Sequence, residues 1–200
     1  MIDELTGVVL AGGRSSRFGA NKALADWKGA TLVEAVVNSL LEVLPVVLVV
    51  TKNTAELAFL KSARVQVIED LCLDGHPMGG LLTALKRLKT RHAFVAACDM
   101  PFVRPELIEA LWQAHADYDA AIPVWRGERQ PLCGIYSRAC VGMIRTAIEE
   151  GALGISRLFD SLRTRFMLEN EVEGADPQGV SFMDIDTRED YERAKSLLPC

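Results

Sequence analysis

The sequence has few of the residues that build disulfide frameworks and transition-metal sites. It contains five cysteines and three histidines among 200 residues, and the cysteines are odd in number, widely spaced and never arranged as C-x-x-C. The histidines form no pair with the spacing of one helical face. These patterns argue against a disulfide scaffold and against a zinc site. We therefore expect a reducing, cytoplasmic environment.

Long apolar runs and a large excess of charge are also missing. No run approaches the length of a membrane span, and residues 1–5 lack the basic start and apolar region of a secretory signal. A net charge of -5 argues against a broad cationic face for nucleic acid. We expect a soluble protein without a membrane or nucleic-acid partner. Because half of the residues are hydrophobic, residues 1–200 can form one domain with a substantial core.

Apolar runs typical of buried parallel strands alternate with helical patterns along the chain. The expected strands are 6–10, 46–51, 65–69, 93–98, 120–124, 132–136 and 166–168. The expected helices are 31–44, 54–61, 79–88, 105–116, 138–150, 155–162 and one from Thr187, with residues 169–179 as a loose stretch. Thr31 and Glu34 have the spacing of a capping box. Since Gly127 indicates a hairpin, the alternation predicts an α/β fold, a three-layer α/β/α sandwich around a mostly parallel, mixed sheet.

A glycine-rich loop with three cations, residues 11–22, follows the first expected strand. Its adjacent glycines are Gly12 and Gly13, and its cations are Arg14, Arg17 and Lys22. Adjacent glycines let the backbone approach an anion closely, while the cations surround it. The composition predicts a phosphate cradle for a nucleoside triphosphate, although ordinary basic surface turns share it.

The glycine spacing of this loop excludes two common nucleotide motifs. A dinucleotide fingerprint requires G-x-G-x-x-G, but no glycine follows the adjacent pair until Gly19. A P-loop requires four residues between its glycines and then Lys-Ser/Thr at once. Here five residues separate Gly13 from Gly19, and Lys22 follows only after two more. The loop therefore matches neither template, and an ordinary surface turn stays the alternative to a phosphate cradle.

Asp99 is the first candidate for an acidic partner of this loop. It directly follows the apolar run 93–98, so it is expected where a buried strand ends. Open α/β sheets bind ligands at that edge, and the loop after the first strand emerges there too. Polyphosphate chemistry usually recruits Mg2+ held by one or two carboxylates, which makes Asp99 a candidate ligand. The alternative is that Asp99 forms a turn or caps the helix expected from Pro105.

Asp184 and Asp186 form a second acidic candidate. They are two residues apart, so in an extended segment both side chains point to the same side. Asp186 is therefore a candidate second metal ligand. Alternatively Asp186 or Thr187 caps the final helix, which the T-x-x-D spacing of Thr187 and Asp190 favours.

The loop resembles the entry motif of the molybdenum cofactor guanylyltransferases, the MobA family. The family pattern L-A-G-G-x-S-x-R-[MF]-G-x-[ND]-K is matched by residues 10–22 at every defined position. Further segments that resemble the family in order are 67–70, 76–80, 98–101, 130–131 and 184–190. Related enzymes that use CTP on the same pterin tend to read L-A-A-G, so the adjacent glycines favour guanylyl transfer. The chain departs from the family at positions 184 and 186, where asparagines are frequent, and at Arg188, where proline is frequent.

The resemblance implies a Rossmann-like fold of the nucleotide-diphospho-sugar transferase type and a set of site residues. The implied nucleotide-binding residues are Leu10, Ala11, Gly12, Gly13, Lys22, Asn53, Asp70 and Asp99. The implied catalytic residues are Arg17, Lys22 and Asp99, with Asp99 as a metal ligand. Asp186 is a candidate second metal ligand because of this chain's own two aspartates, at positions where the family often has asparagine. From the residues alone, Asn53 and Asp70 are equally consistent with turns after strands.

The resemblance also implies the reaction. GMP would pass from GTP to the phosphate of molybdopterin or the molybdenum cofactor with release of pyrophosphate, assisted by Mg2+. Expected partners are GTP, the pterin, and proteins that deliver the pterin or mature molybdoenzymes. Two alternatives stay open: a cytidylyl or other nucleotidyl transfer to the pterin or to a sugar or alcohol phosphate, and a nucleotide-binding module without chemistry.

Overall fold

The computed structural model describes residues 1–12, 21–72, 76–152, 154–185, 187 and 189–190. The strands are β1 Leu5–Leu10, β2 Asp26–Trp27, β3 Ala30–Thr31, β4 Val47–Thr51, β5 Val65–Glu69, β6 His92–Ala97, β7 Ala120–Trp125, β8 Glu128–Arg129, β9 Cys133–Ser137 and β10 Thr164–Met167. The α-helices are α1 Leu32–Val43, α2 Pro77–Arg87, α3 Pro105–His115, α4 Val141–Glu149 and α5 Glu169–Val172. In the described parts of the chain, no helix is long and apolar enough to cross a membrane.

Within the described residues, eight strands form one mixed sheet in the order β10-β7-β9-β6-β1-β4-β5, with β8 paired to β7. β6, β1, β4 and β5 are parallel neighbours, and β10 is parallel to β7. β9 runs antiparallel to both β6 and β7. The predicted mostly parallel, mixed sheet is confirmed. Leu10 at the end of β1 is in register with Val50 and Ala97, so these strands end together at what we call the carboxyl edge.

Apolar side chains alternate between the two faces of the sheet and build a core on each. On one face Val9 and Val49 belong to a cluster that includes residues of α1 and α3. On the other face Val8 and Val50 belong to a cluster that includes residues of α2 and α4. Strands that are buried on both faces are expected where helices cover both sides of a parallel sheet. The predicted three-layer α/β/α architecture is therefore confirmed.

The predicted capping box at the start of α1 is present. The Thr31 hydroxyl accepts a hydrogen bond from the Glu34 amide at 3.3 Å, and Glu34 Oε2 accepts one from the Thr31 amide at 2.7 Å. Both orphan amides at this helix start are thereby satisfied. A second capping box joins Thr187 and Asp190, so the alternative prediction that Thr187 caps a helix is confirmed. The helix predicted beyond Asp190 lies outside the described residues.

The helix predicted over 54–61 is wrong. This segment contains turns and one short 3-10 helix, Ala58–Leu60. The Asn53 side-chain oxygen accepts from the Ala55 amide at 3.2 Å, and such a local bond competes with helical pairing. The strand predicted at 166–168 begins earlier, as β10, and the stretch predicted to be loose includes α5.

Candidate active site

Four chain segments leave the sheet side by side at the carboxyl edge. Lys52 and Asp70 directly follow β4 and β5. Gly12 and Asp99 lie two residues beyond the ends of β1 and β6. Their parent strands are adjacent in the order β6, β1, β4, β5. Ligands of open α/β sheets bind outside these strand ends, so the fold places polar groups from distant parts of the sequence around one site.

Lys22 and Asp99 form an ion pair at this edge. Lys22 Nζ donates to Asp99 Oδ2 at 2.8 Å, and the two side chains are only 10% and 22% exposed. The pair joins the far end of the glycine-rich loop to the end of β6. The sequence expectation that cationic loop and carboxylate lie at the same edge is met for these two residues.

Glu56 links the chain just before Lys22 to the turn after β4, because two asparagines donate hydrogen bonds to its carboxylate. Asn21 Nδ2 donates to Glu56 Oε2 at 2.6 Å, and Asn53 Nδ2 donates to Glu56 Oε1 at 2.8 Å. Asn21 also accepts from the Ala23 amide and begins the 3-10 helix Lys22–Leu24. Glu56 was not among the predicted site residues, and Asn53 is in the turn that its residue type favours. A nucleotide contact by Asn53 stays a prediction.

Asp99 has one carboxylate oxygen that is not satisfied. Oδ1 is buried and has no hydrogen-bond partner within the described part of the chain. Buried polar atoms without partners are rare, and a carboxylate oxygen is a preferred ligand of Mg2+. The residue therefore fits a divalent cation. No group of three metal-ligating side chains occurs among the described residues.

The segment with the second acidic candidate reaches the same place. The Ile185 amide donates to the Asp99 carbonyl oxygen at 3.0 Å, so the chain beside Asp184 passes next to Asp99. Asp184 is exposed. Asp186 lies outside the described residues, as do Gly13, Arg14 and Arg17, and their predicted roles stay predictions.

A cysteine beside the ion pair is not a nucleophile at neutral pH. Burial raises the pKa of the Cys98 thiol to about 12, and the neighbouring Asp99 charge adds to this rise while Lys22 opposes it. The thiolate is the reactive form of cysteine, and it is scarce at such a pKa.

A second ion pair, Lys52–Asp70, lies further along the carboxyl edge. Lys52 Nζ is 3.2 Å from Asp70 Oδ2, with side-chain exposures of 35% and 4%. Asp70 Oδ1 accepts from the Thr83 hydroxyl at 3.1 Å and from the Cys72 amide at 3.1 Å. Both carboxylate oxygens are thus engaged, and Thr83 ties them to α2. Sequence reasoning missed Lys52, although its position directly after β4 was the available signal.

The start of the loop and the start of α2 both lie close to Asp70, and the approach of α2 depends on glycine. A Cβ on Gly12 would lie 3.7 Å from Asp70 Oδ2 and 3.9 Å from Lys52 Cγ. A Cβ on Gly79, near the start of α2, would lie 2.5 Å from the Cys72 Cβ, a distance that would force the helix away. Leu10, at the end of β1, packs near Gly80, and Ala11 is buried with its amide on the Val50 carbonyl. The start of the loop therefore passes directly beside the second ion pair.

Comparison with known proteins identifies the family. Residues 7–166 match the family described as the MobA-like NTP transferase domain. The chain belongs to this family. The sequence resemblance is thereby confirmed, and with it the assignment of this MobA-like protein as a nucleotidyltransferase.

Relatives of similar length support the assignment over the whole chain. The chain is 29% identical over 199 residues to the molybdenum cofactor guanylyltransferase of Desulfosudis oleivorans, covering 98% of this chain and 97% of that protein. It is 30% identical over 197 residues to a probable molybdenum cofactor guanylyltransferase of Pelotomaculum thermopropionicum, covering 97% and 93%. The crystal structure of molybdopterin-guanine dinucleotide biosynthesis protein A from Archaeoglobus fulgidus has a TM-score of 0.83 and 28% identity, covering 96% and 97%. This structure confirms the expected fold.

Proposed function

We propose that this MobA-like protein transfers GMP from GTP to the terminal phosphate of molybdopterin or of its molybdenum-loaded form. The products are molybdopterin guanine dinucleotide and pyrophosphate. The observation that carries the proposal is the Lys22–Asp99 pair at the carboxyl edge, since it joins the family's glycine-rich loop to a carboxylate with one unsatisfied oxygen. Similarity to proteins with this name over nearly all of their length supports it. In this proposal residues 1–200 act as one domain in the cytoplasm.

The reaction requires positioning and charge stabilisation. An oxygen of the acceptor phosphate forms a bond to the α-phosphorus of GTP, and the bond from that phosphorus to the bridging oxygen of pyrophosphate breaks. The acceptor is already an anion at neutral pH, so no protein nucleophile is needed, consistent with a protonated Cys98. Lys22 stabilises the charge that develops on the leaving pyrophosphate, and we propose that Arg17 assists it.

Mg2+ is proposed as the cofactor, with Asp99 Oδ1 as one protein ligand and Asp186 as the second. The bound ion would neutralise phosphate charge, which a carboxylate alone cannot do. Asp99 has two roles in this arrangement, because Oδ2 positions the Lys22 ammonium at 2.8 Å while Oδ1 stays available. One carboxylate would therefore hold both the lysine and the metal, and the metal would supply further positive charge for the phosphates.

The remaining predicted contacts follow the strand ends. We propose that backbone groups of Leu10, Ala11, Gly12 and Gly13 approach the nucleotide, and that Asn53 and Asp70 line its nucleoside end. The acceptor would be the phosphate of the pterin, which another protein would deliver. The product would then pass to proteins that mature molybdoenzymes. These partners are part of the proposal.

Pyrophosphate release tests the reaction. The purified protein would be incubated with Mg2+, molybdopterin and each of the four ribonucleoside triphosphates in turn. We expect release with GTP and little with the others. A clear preference for CTP would replace guanylyl by cytidylyl transfer. Tight GTP binding without turnover would instead favour a module that binds nucleotides without chemistry.

A further inference from the structure

Asp176 is a fully buried carboxylate that the proposed reaction does not use. Its side chain has an exposed fraction of 0%, and Arg104 Nη1 lies 3.9 Å from its Oδ1. Oδ1 accepts a hydrogen bond from the Val180 amide at 3.1 Å, and Oδ2 accepts one from the Ser181 amide at 2.8 Å. A buried carboxylate is costly unless hydrogen bonds and an opposite charge compensate it. The conformation of residues 176–181 therefore depends on Asp176.

The segment 176–185 joins Asp176 to the turn that carries Asp99. Ser181 Oγ accepts a hydrogen bond from the Arg104 amide at 3.0 Å. The Ile185 amide donates to the Asp99 carbonyl oxygen at 3.0 Å. These two bonds hold both ends of the turn 99–104, which lies between β6 and α3. The backbone of Asp99 thus depends on a segment that Asp176 holds in place.

Apolar packing fixes the same segment on two sides. Gly179 has a φ of 61°, and a Cβ there would overlap the indole ring of Trp125 at the end of β7. Only a glycine lets the segment pack so closely on this ring. Further along, Ile185 is buried in an apolar cluster against which Phe102 of the turn 99–104 packs. The segment therefore contacts β7 and the turn of Asp99 together.

We propose that Asp176 is a positioning residue that fixes the carboxylate of Asp99 for the metal ion. The inference rests on the proposed function, because it concerns the carboxylate that would hold Mg2+ there. Within the described residues Asp99 Oδ1 has no partner, and Oδ2 is bonded to Lys22. The backbone bonds to the turn 99–104 therefore help to decide where the open oxygen lies. Removing a group that orients a metal ligand typically costs about 10- to 100-fold in metal affinity or activity.

Amide hydrogen exchange and a metal titration test this role together. Asp176→Asn keeps the shape of the side chain but leaves one backbone amide facing an NH2 group, so the segment 176–185 should loosen. We expect exchange of the Arg104 and Ile185 amides to rise about tenfold relative to amides of β1, which report on global unfolding. The Mg2+ concentration for half-maximal pyrophosphate release with GTP should also rise about tenfold.

Asp119→Asn is the matched control. Asp119 precedes β7 at the opposite edge of the sheet. Its Oδ2 accepts a hydrogen bond from the Arg163 amide at 3.1 Å and lies 3.4 Å from Arg163 Nε. The substitution therefore also removes a carboxylate that holds the backbone of a distant segment, but far from Asp99. We expect its Mg2+ requirement to stay within about twofold of wild type.

Ser181→Ala breaks the same link while keeping Asp176, so it tests the inference even if Asp176→Asn does not fold. It should raise the Mg2+ requirement too, and the two changes together should not add, because both break one chain of bonds. An unchanged Mg2+ requirement in these variants overturns the inference and leaves the proposed function intact. Exchange that rises equally at Ile185 and in β1 also overturns it, because Asp176 would then only stabilise the fold. Wild-type protein without Mg2+-dependent pyrophosphate release from any nucleotide overturns the proposed function and this inference together.

Discussion

The two ion pairs at the carboxyl edge differ in how their carboxylates are satisfied. Asp70 is nearly inaccessible, and each of its oxygens is bonded to another part of the protein. Asp99 is more exposed, and one of its oxygens is buried without a partner among the described residues. Each carboxylate pairs with a lysine from another part of the chain, Asp99 with Lys22 of the 3-10 helix Lys22–Leu24 and Asp70 with Lys52 directly after β4.

This difference distinguishes a carboxylate that is fully bonded within the protein from a carboxylate that has an oxygen left for a ligand. A carboxylate whose bonds are complete contributes rigidity, because its neighbours must move together if it is disturbed. A carboxylate with an open oxygen carries a cost of burial that a ligand can offset. The structure therefore shows a carboxylate with complete bonding at Asp70 and a carboxylate with one open oxygen at Asp99.

Removing the lysine of the first pair is expected to have the largest effect. Lys22→Ala should lower kcat by about 10³-fold, because the charge on the leaving pyrophosphate loses its cation in a buried site. Pyrophosphate release with GTP and molybdopterin measures the loss. Lys89→Ala, at the opposite edge, should stay within about twofold of wild type. A folded Lys22→Ala protein with full activity would contradict the assigned role.

Replacing the open carboxylate is expected to have the next largest effect. Asp99→Asn keeps the shape of the side chain and removes its charge, so kcat/KM should fall by about 300-fold and the Mg2+ concentration for half-maximal turnover should rise. A metal titration of pyrophosphate release separates these two changes. Asp117→Asn, an exposed carboxylate before β7, is the matched control. An unchanged metal requirement in Asp99→Asn would mean that the ion binds elsewhere.

Much of the first pair could be predicted from the sequence. Apolar runs locate the ends of β1 and β6, and the convergence of parallel strand ends brings Lys22 and Asp99 to one edge. The capping box of α1 is a local pattern of Thr31 and Glu34, so it was also predictable. Local patterns and the direction of strands were sufficient in these cases.

The second pair and the link through Glu56 could not be predicted in the same way. Lys52 follows a strand, but its bond to Asp70 depends on which strands are neighbours and on their register. Thr83 reaches Asp70 only because α2 packs against that part of the sheet. The helix predicted over 54–61 failed because the local bond of Asn53 competes with helix formation. Three-dimensional packing decided the contacts of Lys52 and Thr83, whereas a local hydrogen bond decided the third outcome.

The opposite edge of the sheet contains a titratable side chain, His92, that packs against aromatic rings. His92 begins β6 there and packs against the rings of Trp112 and His115, with centroid distances of 5.6 Å and 4.8 Å. Burial, with further effects of His115 and Arg91, lowers the pKa of His92 to about 4. The unfolded chain, with a histidine pKa near about 6.5, binds more protons between these values, so stability is lost as the pH falls.

The expected change in the free energy of unfolding is about 1–2 kcal/mol between pH 6.5 and pH 4, after allowing for solvent screening. Denaturant unfolding at several pH values measures it, with His92→Gln as the control that should flatten this slope. Carboxylates titrate in the lower part of the range, so the difference between the two proteins is the readout. Equal slopes would show that His92 is protonated equally in the folded and unfolded states.

Thr83→Val is expected to give the smallest effect and tests the completeness of bonding at Asp70. The change keeps the shape of the side chain but removes the hydroxyl, which donates to Asp70 Oδ1 at 3.1 Å and accepts from the Leu71 amide at 3.3 Å. A bond to a buried carboxylate contributes about 1–2 kcal/mol, so unfolding should become easier by that amount while Lys52 still holds Oδ2. Thr83→Ser restores the donor and should recover most of the loss. If Thr83→Val were as stable as the wild type, Asp70 would not depend on α2, and the contrast with Asp99 would rest on its burial alone.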